Sequence, residues 1–251
     1  MLRTVGTWGL IEPGDRIMVG LSGGKDSYTL FDLLAGARRR SPVDYEIVGV
    51  HLDQGQPGYD GAPLREWLER FGVPFEILSE DTFSAVMAQS ERSGETTYCR
   101  VCSRLRRGIL YTAAEQMGCN KIALGHHRDD AIETLLLNLF YSGRLQAMPA
   151  TYRTNDDRFD VIRPLIECSE SEIAAWATEA AYPILPCNLC GSQSDLKRGV
   201  IKNLITELEG RIPNVRNVML AAIKNVRPSH LLDREVAEAW LELADRYDAR
   251  Q

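Results

Sequence analysis

Four of the six cysteines in this sequence form two Cys-x-x-Cys pairs, Cys99/Cys102 and Cys187/Cys190. Thiolates at that spacing can share a metal centre. They could hold a structural zinc ion, form a redox disulfide or ligate an iron–sulfur cluster, and spacing alone does not choose among these. Six cysteines in a chain of 251 residues do not resemble a disulfide scaffold. We expect the two unpaired cysteines to be packing residues: Cys119 and Cys168.

A glycine-rich segment, Ser22-Gly23-Gly24-Lys25-Asp26-Ser27, lies between a predicted buried strand and a predicted helix. Two glycines let a backbone approach an anion closely, and the start of a helix offers free N–H groups and a positive dipole end. Lys25 adds a cation and Ser27 a hydroxyl donor. The segment is not a Walker A loop, because Val19 stands where that motif needs its first glycine. We therefore expect it to bind phosphate, the alternative being a strand-to-helix turn without a ligand.

Carboxylates and histidines follow two other predicted strands. Asp53 follows the strand at 46–52, and Gly125-His126-His127-Arg128-Asp129-Asp130 follows the strand at 121–124. Loops after parallel strands converge at one edge of a sheet, where carboxylates could hold Mg²⁺ on a pyrophosphate. For Asp129 and Asp130, capping of the next helix is the alternative. The two histidines could be general bases or zinc ligands, or simply loop residues.

Apolar periodicity predicts alternating strands and helices as far as about residue 185, and only helices after it. Such alternation implies right-handed βαβ units and a parallel sheet. We predict a possible edge strand at 161–166, since Pro164 would interrupt a central strand. The expected fold class is α/β, a Rossmann-like parallel sheet flanked by helices, with a helical C-terminal extension.

The composition is that of a globular protein with no excess of positive charge. Lys and Arg number 29 against 35 Asp and Glu, a formal net charge of −6, which argues against coating nucleic acid by bulk charge. A local basic face stays possible. The N-terminus has no apolar signal core and no run is long enough to span a bilayer, so we expect a cytoplasmic protein without a membrane partner.

The segment 22–27 resembles the PP-loop of the N-type ATP pyrophosphatases, whose fold is of the adenine nucleotide alpha hydrolase type. Within that superfamily the chain resembles the tRNA 2-thiocytidine synthetases along nearly its whole length. Five stretches carry this resemblance in the same order: 21–28, 102–111, 122–130, 186–193 and 228–231.

The resemblance implies that ATP is cleaved to AMP and pyrophosphate, and that AMP activates the C2 oxygen of the cytidine at tRNA position 32. Sulfur is then transferred through a [4Fe–4S] cluster held by three cysteines, which would leave one iron open for a hydrosulfide. The implied cluster ligands are Cys99, Cys102 and Cys190, with Cys187 as the alternative third ligand. The implied partners are tRNA, a sulfur donor such as a cysteine desulfurase, and a second copy of the chain in a homodimer.

The resemblance also assigns the remaining site residues. The catalytic residues would be Lys25, Asp26 and Asp130. Binding of ATP would involve Ser22, Gly23, Gly24, Lys25, Asp26, Ser27, Asp53, Gly125 and Asp129. Contacts to tRNA would come from Arg104, Arg106 and Arg107, while more distant cations in the tail (Arg211, Arg216, Lys224 and Arg227) could equally be a solvated helix face.

The same resemblance predicts two domains, a PP-loop ATP-binding α/β domain at 1–185 and a helical C-terminal extension at 186–251. An inserted Cys-x-x-Cys segment near 93–103 belongs to the first, and the second cysteine pair belongs to the second. Two other functions stay open at this point. One is another PP-loop tRNA-modifying enzyme, for 2-thiouridine synthesis or for amidation or ligation, with zinc in place of the cluster. The other is a metal-binding module without ATP turnover.

Overall fold

The structure of the protein, a computed structural model, describes residues 1–85, 98–185 and 193–248. Side chains are described within 1–85, 104–185 and 197–243. The strands in these ranges are β1 (Arg16–Leu21), β2 (Glu46–Asp53), β3 (Phe75–Ser79), β4 (Lys121–Ala123), β5 (Thr151–Arg153) and β6 (Asp160–Ile162).

The described helices surround the sheet and continue beyond it. They are α1 (Leu2–Trp8), α2 (Lys25–Arg38), α3 (Ala62–Glu69), α4 (Tyr98–Gln116), α5 (Arg128–Tyr141), α6 (Glu170–Glu179), α7 (Gln193–Arg211), α8 (Val215–Lys224) and α9 (Arg234–Asp248). A 3₁₀ turn at Pro228–His230 precedes α9.

The strand order is β3-β2-β1-β4-β6-β5. All pairs are parallel except β5 with β6, which is antiparallel. This confirms the predicted Rossmann-like parallel sheet flanked by helices. The crossover after β1 goes outward to β2 and the chain returns to β4 on the other side of β1. The carboxyl ends of β1 and β4 therefore lie side by side, where α/β sheets bind ligands.

Successive residues of β1 point to opposite faces of the sheet and enter two separate cores. Ile17, Val19 and Leu21 pack with α2 and α3 on one face. Met18 packs with Ala113 and Ala114 of α4 on the other. Because both faces are covered, the central strands are apolar at almost every position.

A third apolar cluster joins the C-terminal helices to the sheet domain. Ile201 and Ile205 of α7 pack against Ile132 and Leu136 of α5, and all four are buried. Helix α7 is thus fixed to the helix that follows β4. The division at 185/186 stays a prediction.

The predicted edge strand at 161–166 was wrong. Strand β6 covers only Asp160–Ile162 and lies between β4 and β5. Pro164 falls after the strand has ended, so it costs no hydrogen bond in the ladder. The edge on this side is β5, three residues long and not predicted.

Helix α4 begins at Tyr98 and therefore includes both cysteines of the first pair, Cys99 and Cys102, near its start. Residues three apart in a helix share one face. The side chains of this pair and the whole second pair, Cys187 and Cys190, lie outside the described residues.

The structure contains no helix, within the ranges it describes, with the length and apolarity that a bilayer span requires.

Candidate active site

The loop 22–27 connects β1 to α2 and is held by its own hydroxyl groups. The N–H of Ser22 donates to Ser27 Oγ at 3.1 Å, and Ser27 Oγ donates to the carbonyl of Gly24 at 2.9 Å. Gly24 is the N-cap residue of α2 and has no side chain to cap the helix. An anion can take the place of that missing acceptor.

Two glycines are required here by space, and one of them, Gly23, is also required by conformation. Gly23 has φ +82°, and a Cβ on it would lie 2.9 Å from Leu185 Cβ. A Cβ on Gly125, in the loop after β4, would lie 2.9 Å from the carbonyl carbon and oxygen of Asp26. The loops after β1 and β4 therefore touch through their backbones, which is the convergence expected from the sequence.

Lys25 lies between two carboxylates. Its Nζ is 3.0 Å from Asp26 Oδ1 and 3.1 Å from Glu170 Oε1 at the start of α6. Burial lowers the pKa of Lys25, but the two carboxylates outweigh it and the net pKa is raised. The ammonium group is therefore charged and already paired.

The carboxylates after β4 have different surroundings. Asp130 Oδ2 accepts from the N–H of His127 at 3.0 Å, which caps α5. Asp129 is buried and its Oδ2 accepts from the N–H of Glu170 at 2.8 Å, while its Oδ1 lies 2.7 Å from Arg216 Nη1. Burial raises the pKa of Asp129, but the hydrogen bond from the Glu170 amide and the charges of Arg128 and Arg216 have a larger effect in the opposite direction. The net pKa of Asp129 is therefore lowered. Both oxygens of Asp129 are thus engaged in joining α5 to α6 and α8.

A magnesium ion fits Asp26 and Asp130 better than Asp129. Asp26 Oδ1 is buried and pairs with Lys25 Nζ at 3.0 Å, whereas both oxygens of Asp129 are held by α6 and α8. Mg²⁺ usually takes one or two carboxylates plus phosphate oxygens, so Asp26 and Asp130 are the carboxylates that suit it here. Asp53, at the end of β2, accepts from the N–H of Gly55 at 2.9 Å through Oδ1. The described part of the chain contains no cluster of three or more metal-binding side chains.

His126 is held neutral by its neighbours. Arg163 Nε donates to His126 Nδ1 at 3.3 Å, so the ring carries its proton on Nε2. Burial and the charge of Arg163 lower the pKa of His126 to about 4. At neutral pH its Nε2 is therefore a donor, not the general base that was one of the sequence-based options.

His51 at the end of β2 was not predicted as a site residue. Its ring is buried, Nδ1 donates to the carbonyl of Leu21 at 2.8 Å, and Nε2 has no partner among the described residues. Burial lowers its pKa, and the charge of Arg106 on α4 lowers it too, although the Leu21 carbonyl acts in the other direction. Arg106 is therefore close enough to the end of β2 for its charge to act on His51.

The basic residues divide into two groups. Arg104 and Arg107 are exposed on α4, Arg106 is half-buried, and no ion pair is formed by these three within the described residues. In the tail, Arg216 pairs with Asp129 and Glu209, and Lys224 lies 2.5 Å from Glu167. Arg216 and Lys224 are thus neutralised within the protein, whereas the α4 group has no such partner among the described residues.

The second cysteine pair is flanked by residues that contact this site. Leu185, two residues before Cys187, donates its N–H to the carbonyl of Gly23 at 2.9 Å. On the other side, Arg198 Nε of α7 lies 3.1 Å from Glu133 Oε2 of α5. Cys119 is buried and Cys168 half-buried, as expected of packing residues.

Comparison with known proteins gives three findings. The PP-loop domain family matches residues 6–206. The tRNA-cytidine(32) 2-sulfurtransferase of Sorangium cellulosum is 50% identical over 93% of this chain and 82% of its own, and that of Cytophaga hutchinsonii is 50% identical over 95% and 82%. The U34-tRNA thiolase NcsA from Methanococcus maripaludis, solved with its [4Fe-4S] cluster, has a similar fold, with a TM-score of 0.67, 20% identity and coverage of 90% and 78%.

Proposed function

The chain belongs to the PP-loop domain family and, within it, to the tRNA-cytidine(32) 2-sulfurtransferases, and from this premise we propose that it uses ATP to replace the C2 oxygen of cytidine 32 of a tRNA with sulfur. One observation in this structure supports the proposal independently of the family. The uncapped start of α2, the loop after β4 and Leu185 meet at a single point, through the contacts of Gly23 and Gly125.

In the first step the loop 22–27 binds the phosphates of ATP, with its backbone N–H groups and Lys25 as donors. Asp26 and Asp130 would hold Mg²⁺, which neutralises charge on the departing pyrophosphate. The C2 oxygen of the cytidine attacks the α-phosphate and pyrophosphate leaves. Gly125 keeps the loop after β4 against this phosphate site, because only a residue without Cβ fits there. Asp53, Gly125 and Asp129 complete the proposed ATP site, Asp129 by positioning α6 and α8 rather than by direct contact.

The second step needs a source of sulfur beside the activated base. We assign the ligands of a [4Fe–4S] cluster to Cys99, Cys102 and Cys190, with Cys187 as the alternative third ligand; cysteine thiolates hold such clusters, and three of them would leave one iron open. The cluster would present hydrosulfide from the sulfur donor; attack of this sulfur at C2 breaks the C2–O bond, and the oxygen leaves as part of AMP. Chain connectivity limits the distance from the phosphate loop, since Leu185 contacts that loop and Cys190 is five residues further on, a span of at most roughly 18 Å.

The tRNA partner would contact Arg104, Arg106 and Arg107, which form no ion pair within the described residues. These lie on the helix that begins with the first cysteine pair, so phosphate contacts there would hold the anticodon loop near the sulfur source. A cysteine desulfurase as sulfur donor, a homodimer and a cytoplasmic location are further parts of the proposal.

The experiment that tests this function is nucleoside analysis of tRNA from a strain that lacks the gene. We expect 2-thiocytidine to be absent, and to return when the wild-type gene is supplied. A gene carrying Lys25→Ala should not restore it, because that variant loses pyrophosphate release, while its cluster absorbance stays normal. Loss of 2-thiouridine instead, with 2-thiocytidine unchanged, would assign the protein to the alternative tRNA substrate.

A further inference from the structure

Glu170, the first residue of α6, lies between two lysines from distant parts of the chain. Its Oε1 is 3.1 Å from Nζ of Lys25 in the phosphate loop. Its Oε2 is 4.0 Å from Nζ of Lys202 on α7. Neither the PP-loop motif nor the cysteine pairs predict this residue, which is 145 positions from Lys25.

Lys202 lies within ion-pair distance of two carboxylates, those of Glu133 and Glu170. Its Nζ is 3.6 Å from Oε1 of the buried Glu133 on α5, as well as 4.0 Å from Glu170. Burial raises the pKa of Glu133, against the opposing charges of Lys202 and Arg198. Arg198 remains 3.1 Å from Glu133 and can satisfy it without Lys202. Lys202 is therefore free to turn toward Glu170 without leaving a buried charge unpaired.

We propose that Glu170 is a positioning residue that occupies Lys25 until nucleotide phosphate displaces it, and that it then pairs with Lys202 on α7. One ammonium group cannot give its best hydrogen bonds to a carboxylate and a polyphosphate together, and the two anions repel each other. The displaced Glu170 carboxylate has a second cation nearby, because Lys202 Nζ lies 4.0 Å from its other oxygen, Oε2. This rests on the proposed function only in taking nucleotide phosphate as the ligand of Lys25.

The transfer links nucleotide binding to α7. That helix begins at Gln193, directly after the segment that carries the second cysteine pair. When Lys202 pairs with Glu170, α7 is drawn toward the phosphate loop by a contact that is weaker in the nucleotide-free protein. Bound nucleotide would thus strengthen one ionic contact of a helix that is already packed on α5.

The first test measures affinity of the holoenzyme for a non-hydrolysable ATP analogue, without tRNA and with Mg²⁺ present. Glu170→Gln removes the competing charge, so the dissociation constant should fall by about three- to fivefold, the range of a partly exposed ion pair. Glu179→Gln is the matched control, because Glu179 is exposed at the other end of α6 and should leave affinity unchanged. Weaker binding by Glu170→Gln would overturn the proposal and make Glu170 part of the nucleotide or magnesium site itself.

The second test is a double-mutant cycle with Lys202→Met. In the wild-type background this change should weaken analogue binding by about twofold, because displaced Glu170 loses its second partner. In the Glu170→Gln background it should have no effect. Lys197→Met is the control on the same helix, since that ammonium lies over the Tyr141 ring, 4.9 Å from its centroid. Equal effects of Lys202→Met in both backgrounds would overturn the link to α7.

These outcomes can be separated from the proposed function. If the affinity changes occur but tRNA gains no 2-thiocytidine, the assignment of the reaction fails and the role of Glu170 stands. If 2-thiocytidine forms but Glu170→Gln does not bind the analogue more tightly, the role of Glu170 fails alone.

Discussion

The phosphate loop and the C-terminal helices are attached to the same sheet by different forces. Around the loop the contacts are steric: an added Cβ would lie 2.9 Å from the Leu185 side chain at Gly23 and 2.9 Å from the Asp26 backbone at Gly125. Helices α7 and α8 instead depend on ion pairs with the buried carboxylates Glu133 and Asp129, beside one apolar cluster. A steric contact has one arrangement, whereas a charged side chain can exchange partners. The fixed region suits bond-breaking chemistry, and the exchangeable region suits a segment that must respond to a ligand.

Gly125→Ala should disrupt the steric contact between the loops after β1 and β4, and we expect it to reduce activity more than any of the changes that follow. A new Cβ 2.9 Å from the Asp26 backbone must push the two loops apart. Displacement of catalytic groups by about 1 Å can cost roughly a hundredfold in rate, so we expect ATP-dependent pyrophosphate release to fall by about that factor. Pyrophosphate release in single-turnover conditions is the measurement.

Gly36→Ala in α2 is the matched control, because nothing lies within 4 Å of its added Cβ. It should leave the rate unchanged and raise stability by about 0.5–1 kcal/mol, as alanine favours a helix. A Gly125→Ala enzyme of normal rate would contradict the steric account of the crevice.

Asp129→Asn should remove the ion pair that attaches α8 to α5. The change leaves Arg216 and Arg128 beside a neutral amide, and removing one partner of a buried pair costs about 3–5 kcal/mol. Because Arg216 is partly exposed and keeps Glu209, we expect the lower end, about 3 kcal/mol. Urea-induced unfolding at neutral pH measures it. The exposed Asp44 is the control, since Asp44→Asn should change stability by less than about 0.5 kcal/mol; an equally small effect at Asp129 would contradict the ionic attachment of α8.

His126→Asn tests how the stability of the protein depends on pH near the loop after β4. The pKa of His126 is lowered to about 4 in the folded protein, against about 6.5 in an unfolded chain. The unfolded state therefore takes up the proton first, so wild-type stability is complete above about pH 6.5 and falls as pH drops toward 4, by roughly 3 kcal/mol for this group.

Asparagine keeps an acceptor for Arg163 but has no proton to gain. The difference in unfolding free energy between wild type and variant should therefore shrink as pH falls from about 6.5 to 4. Urea unfolding of both proteins across this range is the measurement. Parallel curves would mean that His126 is not held neutral by its surroundings.

Local patterns in the sequence predicted the parts of the site that depend on neighbouring residues. The loop 22–27 and the turn at Gly125 follow from residues close together in the chain, and so does the capping box at the start of α6, in which Ser169 and Glu172 bond to each other's backbone N–H groups. The parallel sheet followed from strand–helix alternation. Cluster ligands and tRNA contacts stay predictions.

Contacts between distant parts of the chain could not be predicted in this way. Strand β5 has only three residues, too few for a periodic signal, and its pairing depends on the position of β6. The pairs of Lys25 with Glu170 and of Arg216 with Asp129 join charged residues whose surface or buried position is set by helix packing. The sequence shows the charges but not which of them meet.

The most direct test of the central claim uses anaerobically purified protein with its cluster, ATP, sulfide and unmodified tRNA. We predict that nucleoside mass analysis finds 2-thiocytidine at position 32, with one AMP formed for each thiolated base. ATP turnover without any thiolated nucleoside, or 2-thiocytidine formed without ATP, would contradict the claim that one crevice activates the base and receives the sulfur.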